Sequence, residues 1–164
     1  MWDTTEAPLL GTPGRISTTA IGKLIYTLCG DHDAHSWFKV TDTTTGNSAK
    51  LPMPSFATGD MAMAAMDDRY IWCFGGSDKR GATANVIGRF DAVEKKWVRV
   101  AATLPTPRRN ATALVVVNDI WIVGGYPWTA DIDVYNMTEG TCTKATELPG
   151  WSTVKWSGMK ACVC

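Results

Sequence analysis

The residue types that could do chemistry are few, and they cluster. The chain has two histidines, His32 and His35, both within Asp31-His32-Asp33-Ala34-His35. On an extended stretch alternate side chains share one side, so His and Asp at these positions can converge, and both are metal ligands. No other part of the chain offers matching histidines, and a solvated loop is the plainer reading. The five cysteines are irregularly spaced. Cys29 and Cys73 fall in apolar runs, where a free thiol behaves as a small hydrophobe. Cys162 and Cys164 form a C-x-C pair without further ligands at metal-site spacing. Neither a Gly-x-Ser-x-Gly elbow nor a phosphate-cradling glycine loop occurs. No catalytic residue, metal site or cofactor is therefore assigned. Recognition chemistry is better represented. Arg80, Arg108 and Arg109 offer guanidinium forks suited to a carboxylate, and Tyr126 and Trp128 are aromatic anchors of the kind that dominate interfaces. Two have a plainer alternative: Arg108 could brace neighbouring structure, and Pro127 after Tyr126 could simply shape a turn.

These residues sit in a repeat. Ile71-Trp72-Cys73-Phe74-Gly75-Gly76 returns as Ile120-Trp121-Ile122-Val123-Gly124-Gly125, 49 residues later. A degenerate copy, Ile25-Tyr26-Thr27-Leu28-Cys29-Gly30, ends 46 residues before Gly76. Further landmarks keep step: Val40-Thr41-Asp42, Arg89-Phe90-Asp91 and Val134-Tyr135-Asn136, then Trp97 (Ser48 and Cys142 in the other copies), then Leu51-Pro52, Leu104-Pro105 and Leu148-Pro149. Such a period means repeated supersecondary units. Each unit reads as four short strands, because the runs are rich in β-branched and aromatic residues and bounded by Gly, Pro, Asn or Asp. In the second and third units the strands are expected at 60–66, 70–74, 86–90 and 96–100, then 111–117, 120–123, 132–135 and 142–145. Asp67-Asp68 and Asn118-Asp119 mark tight turns, since Asp and Asn tolerate left-handed backbone. The glycine pairs end a buried strand where backbones approach closely. In Asp60-Met61-Ala62-Met63-Ala64-Ala65-Met66, small residues and methionine suit a place where units converge.

In a four-stranded antiparallel unit, the turn after the second strand and the link out of the fourth emerge on the same face. That face gathers residues 31–35, the 77–85 loop with Lys79 and Arg80, and Tyr126 to Thr129. The links between units add Phe56, Arg108, Arg109 and Trp151.

The pattern Ile-Trp-x-x-Gly-Gly, Phe90-Asp91, Trp97, Leu104-Pro105 and Pro107-Arg108 resembles the Kelch repeat. The resemblance covers nearly the whole chain and is strongest from Asp60 to Gly125. It implies an all-β Kelch-type β-propeller segment: about three four-stranded antiparallel blades, over repeats at roughly 15–57, 58–108 and 109–156. Partial blade strands are expected at 1–14 and 157–164, the first because Trp2, Pro13 and Arg15 mirror Trp97, Pro107 and Arg108. The resemblance further implies a non-enzymatic scaffold that presents its loops to a protein or peptide partner. Arg80, Arg108, Arg109, Tyr126 and Trp128 would make the contact; Gly30, Gly75, Gly76, Trp97, Gly124 and Gly125 would hold the repeat. Copper-oxidase chemistry known among such propellers does not carry over, because the histidine ligands it needs are missing. The alternative is the remnant of a propeller enzyme whose catalytic residues lie outside this chain.

Propellers close with about 4 to 8 blades, and an open row of three would leave two apolar faces uncovered. Three arrangements follow: a fragment of a longer propeller (the favoured one), a half-ring that forms a homo-oligomer, or a strained small ring. Composition narrows the partners. The chain has 164 residues, 45% of them hydrophobic, enough for one cored domain. Sixteen basic and sixteen acidic residues cancel, which argues against binding nucleic acid through its phosphates. No apolar run is long enough to span a membrane, and the start of the chain has no secretory-signal pattern. A cytoplasmic or nuclear setting is expected, in which the sequons at Asn110 and Asn136 would stay unused.

Overall fold

The computed structural model describes residues 16–30, 36–57, 59–78 and 80–148. The expected partial strands at 1–14 and 157–164 lie outside these residues. So do the histidine cluster, Lys79, Trp151 and the terminal C-x-C pair.

Twelve strands form three four-stranded antiparallel sheets, each ordered as the chain runs. The first comprises β1 (Ile16–Ile21), β2 (Leu24–Cys29), β3 (Trp37–Asp42) and β4 (Ser48–Leu51). The second comprises β5 (Ala62–Met66), β6 (Tyr70–Phe74), β7 (Val86–Asp91) and β8 (Lys96–Thr103). The third comprises β9 (Thr112–Val116), β10 (Asp119–Val123), β11 (Asp131–Asn136) and β12 (Thr141–Glu147). No helix occurs among the described residues. The expected strands match in order and centre. The fourth strands run longer than expected, because their outer residues satisfy backbone pairing rather than burial.

The sheets stand in a row, with β5 lying against both β1 and β9. Side chains alternate between the faces of a strand. In β6, Ile71 and Cys73 therefore enter a core shared with Tyr26, Leu28 and Phe38 of the first sheet. Trp72 and Phe74 enter a second core with Ile120, Ile122 and Tyr135 of the third. Being covered on both faces explains why Tyr70–Phe74 is apolar throughout instead of alternating. Met61 and Met63 fill the first core, and the smaller Ala62 and Ala64 the second.

Local chemistry explains the landmarks. The acid or amide closing each third strand caps the next turn. Asp42 Oδ1 accepts from the amides of Thr44 and Thr45, Asp91 Oδ1 from Val93 and Glu94, and Asn136 Oδ1 from Thr138 and Glu139. Asp67 and Asp68 both adopt positive φ, the geometry of a tight hairpin turn. The corresponding turn of the third sheet differs from expectation by one residue. There Val117, not Asp119, takes the positive φ of 57°, and Asp119 begins β10. The pairing of Asp119 with both Val116 and Asn136 sets this register.

The glycine pairs lie where the end of the second strand meets the link entering its own sheet, and Gly75-Gly76 also meets the link leaving it. Gly75 has φ 66°, and a Cβ there would stand 2.1 Å from the carbonyl oxygen of Arg108. On Gly76, at φ 100°, it would stand 2.6 Å from the carbonyl oxygen of Gly59. The Gly76 amide donates to the Arg108 carbonyl at 2.8 Å. Trp97 ties two sheets together: its Nε1–H donates to the Pro52 carbonyl at 2.7 Å, and its ring lies among Phe38, Phe56 and Phe90.

Candidate interaction rim

The link from β8 to β9 places Arg108 and Arg109 side by side in sequence but on opposite sides, as extended backbone requires. Arg109 is half-buried and pairs with Tyr126 through reciprocal backbone hydrogen bonds of 2.9 and 2.7 Å. Its guanidinium stacks 4.8 Å above the Tyr126 ring, while one terminal nitrogen donates to the Gly81 carbonyl at 3.1 Å. Tyr126 meets Trp128 edge-to-face at 5.5 Å. Both rings are exposed, at 38% and 48%. Arg80 is exposed on the β6–β7 loop, next to Gly81. Asp78 holds that loop by accepting from the amides of Arg80 and Ala82, and these bonds keep its carboxyl below the usual range. Arg80, Arg109, Tyr126 and Trp128 thus lie around one loop junction, offering cationic and aromatic surface together.

Arg108 does not belong to this group. It is 1% exposed, and its guanidinium is fully engaged in the core between the second and third sheets. There it pairs with Asp133 at 2.7 Å and donates to the carbonyls of Gly124 and Asp131 at 3.3 and 3.2 Å. A side chain so buried does not reach a partner at the surface. Its expected contact role is replaced by that of a brace, and the plainer alternative read from the sequence holds. Phe56 is corrected in the same way. It lies half-buried against Trp97, over Gly88, where a Cβ would stand 2.2 Å from its ring.

Sequence reasoning missed the brace's acceptors. Asp131 and Asp133 sit on β11, which begins one residue before the expected strand, and an Asp-x-Asp pair in an apolar run is the signal that could have pointed to a buried cation. Burial raises the Asp133 carboxyl, and the Arg108 charge pulls against that rise. Burial is the largest influence on Asp131 and acts to raise it, but Lys144, 2.8 Å away, together with the Thr129 hydroxyl and the Arg108 charge leaves it below its usual value. Burial, with the charge of Asp133 adding to it, pushes the Cys142 thiol up to about 12. Cys73, fully enclosed, is also raised. Both thiols are held protonated, the opposite of what a nucleophile or metal ligand requires. Among the described residues no group of three or more His, Cys, Asp or Glu side chains is placed to hold a metal ion.

Successive four-stranded antiparallel sheets standing face to face, their first strands side by side, define a β-propeller segment, here with its ring unclosed. No family model matches the chain. Among curated proteins it is similar to human Kelch domain-containing protein 3, at 26% identity over 73% of this chain and 32% of that protein. It is also similar to bovine Kelch-like protein 36, at 29% identity over 84% of this chain and 21% of that one. The chain spans about a third or less of the length of these relatives. Among solved structures it superposes on YjhT, a Kelch-type propeller, with a TM-score of 0.67 at 14% identity, over 87% of this chain and 54% of that one. The chain thus has the fold of a Kelch-type β-propeller segment, and its repeats are similar to those of Kelch proteins.

Proposed function

We propose that this chain is a non-catalytic interaction scaffold whose rim of Arg80, Arg109, Tyr126 and Trp128 binds a protein or peptide with acidic side chains. The observation that carries this reading is the contiguous arrangement of Arg109 stacked on Tyr126 and Tyr126 on Trp128, with both rings open to solvent. Aromatic anchors beside a guanidinium supply apolar contact area and a carboxylate receptor at one place. The raised thiols of Cys73 and Cys142 favour a scaffold over covalent catalysis. The same free thiols suit the cytoplasm or nucleus.

Selection of a random peptide library on the immobilised 164-residue chain tests the reading. Acidic peptides should be enriched, and a chain carrying Arg80→Ala and Trp128→Ala should lose them while keeping the wild-type unfolding transition. Equal capture by both chains would remove the rim from consideration.

A further inference from the structure

The repeat provides an internal control for burial. The isoleucine opening each Ile-aromatic motif faces the preceding sheet, and the aromatic after it faces the following one. Ile71 and Ile120 are both 0% exposed, because the first and second sheets cover them. Ile25 is the same residue of the first motif, yet it is 38% exposed. At the other end of the row, Tyr26 and Trp72 are covered by the second and third sheets. Trp121, their counterpart, is only half-buried. Strand pairing puts Leu114, Val116, Val123, Ile132 and Val134 on the same face as Trp121, away from the second sheet. The outer face of the first sheet carries Ile16, Ile25 and Trp37 among threonines, with Lys39 and Lys50 beside Trp37 and with Cys29, which is buried. These two open faces are the two halves of a joint that the chain already makes twice, once with Tyr26 against the Ile71 face and once with Trp72 against the Ile120 face.

We propose that the open face of the third sheet docks a second copy of this chain, whose first sheet covers it so that Trp121 meets the partner copy's Ile25 face. The occupant follows from three observations. The corresponding surface exists on this same chain, and among the described residues no sheet covers it. Three sheets superpose on 54% of the YjhT chain, so two copies supply about one ring of that size. Six blades also fall within the roughly 4 to 8 with which propellers close. The contact is head-to-tail, but rotation about the propeller axis closes it into a twofold dimer with two equal joints and no open face. Each copy would contribute one rim, making the dimer bivalent for the partner.

Sedimentation equilibrium of the 164-residue chain tests this. The expected mass is twice 17.8 kDa. Ile25→Lys and Trp121→Lys should each give a monomer. Mixing the two variants should restore a dimer, because the mixed pair retains one joint with both native halves. A misfolded variant could not produce that rescue. Val117→Lys, on an exposed turn outside both faces, should remain dimeric. The proposal is overturned by a monomeric wild type, by an open series of oligomers, or by dimers that survive both lysine variants. A monomer from Trp121→Lys alone, with Ile25→Lys still dimeric, would also overturn it, since that indicates third sheet against third sheet.

Discussion

Replacing Arg108 by alanine removes a cation sealed at 1% exposure between the second and third sheets. The side chains of Arg108 and Asp133 are 1% and 0% exposed, so Asp133 has no contact with bulk water to offset the loss. Asp133 Oδ1 already lacks a hydrogen bond in the native arrangement, and the substitution strips Oδ2 of its 2.7 Å bond as well. The carbonyls of Gly124 and Asp131 lose a donor at the same time. Breaking a buried pair by deleting one member costs about 3–5 kcal/mol, a large share of the 5–15 kcal/mol typical of a domain. The loss should depend on pH. Burial already raises Asp133, and Arg108 is the main influence holding it down, so without Arg108 its folded-state pKa rises further above the unfolded value of about 3.9. A carboxyl raised in the folded state favours folding below its unfolded pKa and loses that contribution as pH climbs through the folded one. The deficit of Arg108→Ala should therefore be largest at neutral pH and shrink towards about pH 4. Urea unfolding followed by tryptophan fluorescence at several pH values measures both quantities. Arg108→Met combined with Asp133→Leu should recover most of the loss, since an apolar pair leaves no buried charge. A deficit below about 1 kcal/mol, or one that does not change with pH, would refute the account of Arg108 as a buried brace.

Gly75→Ala should destabilise by about 2 kcal/mol or more, because the new Cβ meets the Arg108 carbonyl oxygen and the backbone has positive φ. Gly46→Ala, at φ 74° with open space around it, should cost only the left-handed penalty of about 1 kcal/mol, so equal losses in thermal unfolding would contradict the close-approach argument. Trp97→Phe keeps the aromatic contacts but deletes the bond to the Pro52 carbonyl, and should cost about 1 kcal/mol in urea midpoint measurements.

The architecture was legible in the sequence because the features that build a blade are local. The Asp or Asn ending each third strand caps the turn only a few residues on, so its spacing survives even where Trp97 is replaced by Ser48 or Cys142. A glycine pair records a backbone that L side chains cannot adopt, and Leu104 before Pro105 marks where the chain leaves one sheet for the next. The rim was only partly legible. Arg108 and Arg109 are identical in type and adjacent, and nothing in their neighbourhood says which points outward. That depends on the extended link and on Asp133, 25 residues away on β11. Phe56 likewise read as a loop aromatic, whereas the absence of a side chain at Gly88, in another sheet, gives its ring a place inside.

The sequence by itself determined the repeat, the strand order and the antiparallel all-β class, since these follow from spacing, side-chain alternation and turn chemistry within about fifty residues. Only the tertiary structure decided which faces are covered and which charges are sealed. Burial is a property of the neighbouring sheet, so the same motif isoleucine is closed at positions 71 and 120 and open at position 25.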